Sequence, residues 1–548
     1  MTDRDSMIRV SIILISGIVF ISFLGRVHLF DWDEVNFAEA AREMILTGDY
    51  LSVQINFQPF WEKPPLFIWM QVLSMKLFGI NEFAARLPNA ICGIITLLVL
   101  YQWGRKQAGR NFGLLWVMMF ACSVLPFFYF KSGIIDPWFN LFIFLGIMHA
   151  IQYTTGDPEQ KGRMHAALAG LFIGLGVLTK GPVALLIFGL TALVYWVYKK
   201  FRVKARVPDL LLFALIFILV GGAWFIILLA TGHPETIREF FLYQVRLFQT
   251  KDAGHGGFVL YHFVVLFIGV FPASVFAIHR YGFRNEEPDK VLNDSRTWMM
   301  ILFWTVLILF TIVKTKIVHY SSMCYFPLTF IAAYVVHRAS LKNENLSKMQ
   351  RILLIPVIWV WGVGVGVLQL MAMFKDKVIA MDLIDDPFAV GNLQAEVPWS
   401  GFEFLIGLIF IIAASVVIFA GKMKLVTRVF VFLGLTLSFI FATVYFITPR
   451  IEGYSQRAAI EFYKELRGKD CYVETLGFKS YAQLYYFDKP VPEKPYRTGW
   501  LLECDIDKPA YFVIKNTRSR EYLEKYPELK MLYEKNGFVF TKREIPVH

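Results

Sequence analysis

Asp33 and Lys63 stand in one polar stretch of an otherwise apolar chain, within Asp31-Trp32-Asp33-Glu34 and Trp61-Glu62-Lys63-Pro64-Pro65. A lysine before two prolines is held in an extended turn, because proline restricts the backbone of the residue preceding it. Asp136, Lys180, Arg246, Lys314 and Lys316 occupy later polar connections. A carboxylate so placed can take the proton of an attacking hydroxyl. Cations fixed in a water-poor site stabilise negative charge that grows in a transition state. Asp33 and Asp136 are therefore candidate bases, and Lys63, Lys180, Arg246, Lys314 and Lys316 candidate anion-binding groups. Each has a plainer alternative. Asp31 with Glu34 has the look of a helix-capping pair, and Asp136 before Pro137 can simply start a helix. Lys180 can snorkel to a membrane interface. Lys314 and Lys316 can be ordinary loop charges, and Arg246 can lie on the solvated face of a surface helix over 243–248.

These residues are positioned by membrane spans. The chain is 56% hydrophobic and only 18% charged, with 53 Phe and 14 Trp, against about 25% charged in a soluble domain. That surplus cannot be hidden in one soluble core, and it excludes disorder. Five cysteines in 548 residues exclude a disulfide scaffold. With about 20 apolar residues needed per crossing, about thirteen spans are expected. They fall near 9–25, 84–104, 111–130, 137–153, 164–179, 182–198, 208–230, 257–279, 297–313, 319–337, 352–374, 402–421 and 426–447. Alternate loops are basic: Arg105, Lys106 and Arg110, then Lys199, Lys200, Arg202, Lys204 and Arg206, and later Lys422, Lys424 and Arg428. The basic side reads as cytoplasmic, which puts the N-terminus inside and the C-terminus outside. The formal net charge of +12 is thereby a matter of topology, not of nucleic acid.

The long outer loop 26–83 is expected to carry amphipathic helices along the membrane surface. One holds Phe37, Ala40, Ala41 and Met44 on its apolar face, with Glu39 and Glu43 opposite. A second runs over 66–78. Hydropathy stops after Pro449, and 450–548 reads as a compact α/β domain. Helices are expected at 458–466 and 520–526, and strands at 472–476, 511–514 and 538–540. Cys471 and Cys504 both lie in this part, as a disulfide or as two thiols. The expected organisation is thus a transmembrane domain 1–449 followed by an outer domain 450–548.

Asp33-Glu34, Ala41-Arg42-Glu43-Met44, Thr47-Gly48-Asp49, Glu62-Lys63-Pro64-Pro65 and Phe83-Ala84-Ala85-Arg86 resemble the first periplasmic loop of the bacterial aminoarabinose transferases. The chain is also similar to their relatives, the protein O-mannosyltransferases, within the GT-C glycosyltransferase superfamily. The likeness continues at Asp136-Pro137, Leu178-Thr179-Lys180-Gly181-Pro182, and Lys314-Thr315-Lys316 followed by Tyr320. It implies a GT-C type membrane fold of the bacterial inner membrane with a small periplasmic C-terminal domain. The implied reaction is an inverting transfer of a sugar, such as 4-amino-4-deoxy-L-arabinose, from a polyprenyl phosphate to lipid A or another envelope glycolipid. Asp33 is then the family-matched base, with Asp136 second. The five cations face a lipid phosphate, and Glu34, Phe37 and Tyr320 line the substrate pocket. Two departures are visible. Asn36-Phe37 stands where those transferases usually have Arg-Tyr, and Gln244 with Arg246 replaces their His and Arg pattern.

Glu62 with His255 resembles positions that could meet at a divalent ion, and a carboxylate with an imidazole suits zinc. Two ligands do not make a site, so any such ion is expected to be structural, with no cofactor required. Gly174 to Gly181 contains a phosphate-loop-like string in the wrong order. Gly362, Gly364 and Gly366 read as close helix packing. No nucleic-acid patch is present. The expected partners are the lipid-linked sugar, the glycolipid acceptor and membrane lipids, and the chain is expected to act as a monomer. Transfer to protein Ser/Thr is the near alternative. A lipid-linked-sugar transporter or flippase is the distant one, because it should carry ionisable residues at mid-membrane, and here they crowd the outer boundary.

Overall fold

The computed structural model describes residues 3–156, 158–203, 205–249, 257–283, 289–493 and 496–546. Each apolar segment of the sequence carries helix, beginning with Asp3–Ile21 and ending with Leu425–Phe446. Five described helices are long and apolar enough to cross a membrane: Glu82–Ala121, Gly162–Lys180, Lys290–Ile312, Lys348–Met373 and Leu425–Gly453. A sixth is added if Val207–Gly221 and Ala223–Ala230, bent by 54°, count as one span. Leu66–Phe78, Val183–Tyr198 and Phe404–Phe419 are apolar but shorter. The protein is a multi-pass membrane protein.

Some expected spans are interrupted, and two are joined in one long element. Glu82–Ala121 is two helices meeting at Ala108 and Gly109, the latter at φ 85°, a conformation glycine adopts without a Cβ penalty. Apolar segment 257–279 divides into Tyr261–Gly269 and Ala273–Ala277. Segment 319–337 opens as a 3-10 turn, Val318–Cys324, before the helix Tyr325–Leu341.

Aromatic rings hold the bundle together. Trp116 packs edge-on against Phe330 at 4.9 Å, and Phe144 stacks on Phe326 at 4.4 Å. These pairs join Glu82–Ala121, Asp136–Thr155 and Tyr325–Leu341, where close packing, not exclusion from water, drives helix association. Of the three glycines expected to sit at a tight helix crossing, Gly362 does so: a Cβ there would meet Gly407 O at 2.9 Å and Ile411 at 2.5 Å. At Gly364 a Cβ would meet open space.

The first long connection forms helices Asp33–Thr47 and Leu66–Phe78 and a small hairpin, β1 (Gln54–Ile55) with β2 (Gln58–Pro59). Phe37 lies edge-on to Phe67 at 5.8 Å, so the apolar faces of the two helices pack together. The opposite face of Asp33–Thr47 departs from expectation. Glu39, Arg42 and Glu43 are fully buried, not solvated, because the C-terminal part of the chain covers them. Arg42 donates to both oxygens of Glu39 at 2.7 Å, to Asp488 Oδ1 at 3.0 Å and to Lys489 O at 3.0 Å. Lys489 in turn donates to Glu474 at 2.8 Å and to Asn56 at 2.7 Å. Glu43 accepts from the backbone N–H groups of Asn56 and Phe57. Both of these turn residues have positive φ, so this carboxylate secures a turn that side chains otherwise resist.

Residues 457–543 carry a four-stranded mixed sheet, β3 (Tyr472–Leu476), β4 (Ala510–Lys515), β5 (Lys530–Lys535) and β6 (Phe538–Arg543). The order is β3-β4-β6-β5, with β3 and β4 parallel and the other pairs antiparallel. β5 had no expectation from sequence: it is an exposed edge strand, Lys-Met-Leu-Tyr-Glu-Lys, without an alternating pattern. All five cysteines are free, Cys471 and Cys504 among them.

Candidate active site

Asp136 opens the helix Asp136–Thr155 with Pro137 behind it, and Lys180 closes Pro158–Lys180. A carboxylate at a helix start and an ammonium at a helix end each complement the helix dipole. The two helices run antiparallel, so these ends meet. Lys180 Nζ donates to Asp136 Oδ1 at 2.5 Å. Asp136 thus both starts a helix and reaches a cavity of about 680 Å³ of free space, lined by Lys63, Asp136, Asn140, Lys180, Gln244 and Tyr320, among others. The Lys180 ammonium lies 5.4 Å from the Tyr320 ring centre and 5.7 Å from that of Phe139. Lys63 is held below the usual ammonium range by burial; Glu62 opposes that shift and the nearby charge of Lys180 adds to it.

Asp33 approaches from the rim. It is the first residue of Asp33–Thr47, and its side chain is 46% exposed. The preceding Trp32 is held at φ 73° without a side-chain cap, a backbone state that is strained for a bulky residue. The expected Asp31–Glu34 capping pair does not form. Asp31 Oδ1 accepts from the N–H of Trp32, and Glu34 turns the other way.

His319 joins the two candidate bases. Its Nε2 lies 3.5 Å from Asp33 Oδ2 and 3.9 Å from Asp136 Oδ2. Sequence reasoning missed this residue, although it sits between the singled-out Lys316 and Tyr320. A lone histidine carried no pattern; its meaning arises from the 3-10 turn that aims it at the carboxylates. Behind it, Asn140 donates to Tyr129 Oη at 2.5 Å and Ser322 Oγ at 2.8 Å, and the Ser322 hydroxyl donates to His319 O. That buried network fixes the turn.

The remaining candidates fall in three places. Lys63 and Arg246 both lie over the Tyr243 ring, at 5.2 and 5.1 Å, and the Tyr243 hydroxyl donates to Glu62 Oε2 at 2.9 Å. Arg246 is exposed, outside the cavity lining. Lys314 is exposed too. Lys316 corrects the expectation of a phosphate ligand: its ammonium donates to Phe310 O, Thr311 O and Val313 O at 2.7–2.9 Å. All three donors of a lysine are thereby used on the carbonyl end of the helix Lys290–Ile312. Glu34 is likewise no pocket residue. Arg86 grips both of its oxygens at 2.7 and 2.9 Å, and the N–H groups of Phe30 and Gly133 donate to it. Burial alone would raise its pKa, but Arg86 holds Glu34 below the usual carboxylate range. Phe37, 2% exposed, is core, not pocket.

His255 lies outside the described residues. Among the described residues no group of three or more His, Cys, Asp or Glu could hold a metal ion. Glu62 accepts from the Tyr243 hydroxyl.

A family model described as dolichyl-phosphate-mannose-protein mannosyltransferase matches residues 62–224. The undecaprenyl phosphate-alpha-4-amino-4-deoxy-L-arabinose arabinosyl transferase of Photorhabdus laumondii is 24% identical over 372 residues, 66% of this chain and 64% of that protein. The protein of the same name from Edwardsiella ictaluri is 27% identical over 334 residues, 59% of this chain and 58% of that one. These matches span less than two thirds of the relatives' own length. The crystal structure of ArnT from Cupriavidus metallidurans bound to undecaprenyl phosphate aligns with a TM-score of 0.73 at 18% identity, covering 97% of both chains. Its apo state gives 0.72 at 17%. The chain thus shares its fold with ArnT and is similar in matched sequence to these transferases.

Proposed function

We propose that this chain is a glycosyltransferase that moves a sugar from a polyprenyl phosphate to lipid A or another envelope glycolipid. The observation that carries this reading is the convergence of Lys63, Asp136, Lys180 and Tyr320 on one cavity, with the half-exposed carboxylate of Asp33 and His319 at its edge. The acceptor hydroxyl attacks the anomeric carbon, giving its proton to Asp33 as the new C–O bond forms. The bond from that carbon to the phosphate oxygen breaks, and its electron pair leaves with the phosphate. Attack opposite the leaving group inverts the centre. Lys63 and Lys180 meet the growing phosphate charge; Lys180 has two N–H donors left after Asp136. His319 orients the carboxylates. A phosphate leaving group carries this chemistry without a metal or other cofactor. The names of the relatives favour 4-amino-4-deoxy-L-arabinose as the sugar.

On the same reading the chain crosses the bacterial inner membrane about thirteen times, with the N-terminus cytoplasmic. Residues 1–449 form the membrane domain, and 450–548 form a periplasmic domain seated on the first outer loop. The pair between buried Arg42 and half-buried Asp488 supports that seating.

The test is transfer by purified protein in lipid, offered radiolabelled polyprenyl-phosphate sugars with lipid A or with a Ser/Thr peptide. Label on lipid A supports the proposal. Label on the peptide replaces the acceptor. Translocation of the sugar lipid across vesicles without transfer overturns the enzyme reading in favour of a transporter.

A further inference from the structure

The ends of the helices remote from Asp136 enclose a second space. Tyr153 lies on the same helix as Asp136, and at about 1.5 Å of rise per residue it is about 25 Å away. It borders an apolar cavity of about 1200 Å³ of free space, walled by Ala166, Ala169, Phe188, Leu193, Phe213 and Trp298. Tyr153, Thr154, Tyr195 and Val203 also line a second, adjoining cavity of about 1250 Å³. Among the described residues, the mouth of that second one is lined by Lys199, Lys200, Arg202 and Lys290 and by one carboxylate, Asp294. Asp294 pairs with Lys199, and Lys200, Arg202 and Lys290 are exposed.

Polar groups border this wall at Tyr153, Thr154, His165 and Asp209. Asp209 is 1% exposed. Its Oδ2 accepts from the Tyr153 hydroxyl at 3.0 Å and lies 3.9 Å from Arg206 Nε, while Oδ1 has no hydrogen-bond partner among the described residues. A buried carboxylate oxygen without a donor is costly, and it lines a cavity into which a ligand hydroxyl can reach.

An oily slot that ends in a basic mouth has the charge and polarity of a binding site for an anionic lipid headgroup. We propose that this site holds one diacyl phospholipid with a net-negative, hydroxyl-bearing headgroup. An acyl chain fills the apolar cavity. The phosphate lies among Lys200, Arg202 and Lys290, and a headgroup hydroxyl donates to Asp209 Oδ1. The site is separate from the sugar-transfer cavity and does not depend on the reading of that cavity.

Native mass spectrometry of the full chain in detergent tests this, with added phosphatidylglycerol or phosphatidylethanolamine of identical acyl chains. One phosphatidylglycerol per chain is expected to be retained, at least about fivefold above phosphatidylethanolamine, with a matching rise in Tm. Lys200→Glu and Arg202→Glu each lower retention by about fivefold or more, in line with about 1 kcal/mol per basic residue. Asp209→Asn lowers the preference for phosphatidylglycerol over phosphatidic acid, which lacks the headgroup hydroxyl. Equal retention of phosphatidylglycerol and phosphatidylethanolamine by the unaltered protein overturns the proposal. So does displacement of the lipid by soluble glycerol phosphate, which would show a headgroup site with no use for the apolar cavity.

Discussion

The Lys180 ammonium lies 2.5 Å from Asp136 Oδ1, on a carboxylate whose side chain is only 4% exposed. The pair locks the end of one helix to the start of the next and leaves the rest of the ammonium facing the cavity. Lys180→Met strands a buried carboxylate, at a cost of about 3–5 kcal/mol, and removes a phosphate partner. Transfer falls by about 10²–10³-fold and Tm falls with it. Adding Asp136→Asn to Lys180→Met recovers Tm but not transfer. Recovery of both in the double variant would reduce the pair to a structural role.

Lys316 differs from Lys180 although the two are alike in sequence context. Its three hydrogen bonds go to helix carbonyls. Lys316→Met therefore lowers stability by about 1–3 kcal/mol. Transfer at a temperature well below Tm stays within about twofold. A rise in donor KM of about tenfold or more, with Tm unchanged, would return Lys316 to the phosphate site.

Arg42 ties the sheet of residues 457–543 to the loop that carries Asp33. Arg42→Met leaves Glu39 buried and uncompensated, a loss of about 3–5 kcal/mol. Limited proteolysis then cuts within 457–543 at lower protease concentration than in the unaltered protein. An unchanged cleavage pattern would show that the sheet is held by its other contacts.

Glu43 gives stability a pH dependence. Burial, with the neighbouring charge of Glu39, pushes its carboxyl up to about 8 from an ordinary 4.5. The folded chain therefore binds a proton that the unfolded chain has already lost between those values. Stability contributed by this group is present at low pH and declines as pH rises from about 4.5 to about 8. Glu43→Gln flattens Tm against pH across that window, read by thermal denaturation in detergent. It also costs one of the two turn hydrogen bonds, so the curve flattens at a lower Tm.

The apolar segments, the outer-loop helices and most of the sheet were legible in the sequence, because each carries its own periodicity. So were the ends that meet at the cavity: Lys63 before two prolines, Asp136 before Pro137, and Lys180 before Gly181. What escaped depended on long-range packing. Glu39 and Glu43 read as a solvated face, since nothing local announces that residues 474–489 will cover them. Glu34 read as a pocket group because its partner Arg86 is remote in sequence. Lys316 read as an anion ligand because three carbonyls of the preceding helix leave no mark in composition. His319 was passed over for the same reason: its two carboxylates come from different helices.

Asp33 carries the central claim. Its carboxylate is the half-exposed one, 3.5 Å from His319, and the only step assigned to it is removal of the acceptor proton. Single-turnover transfer with a labelled polyprenyl-phosphate sugar and lipid A, comparing Asp33→Asn with the unaltered protein, measures that step directly. The account predicts a loss of about 10²–10⁴-fold in rate, with donor binding and Tm retained. Transfer at an undiminished rate by the folded Asp33→Asn protein would contradict it.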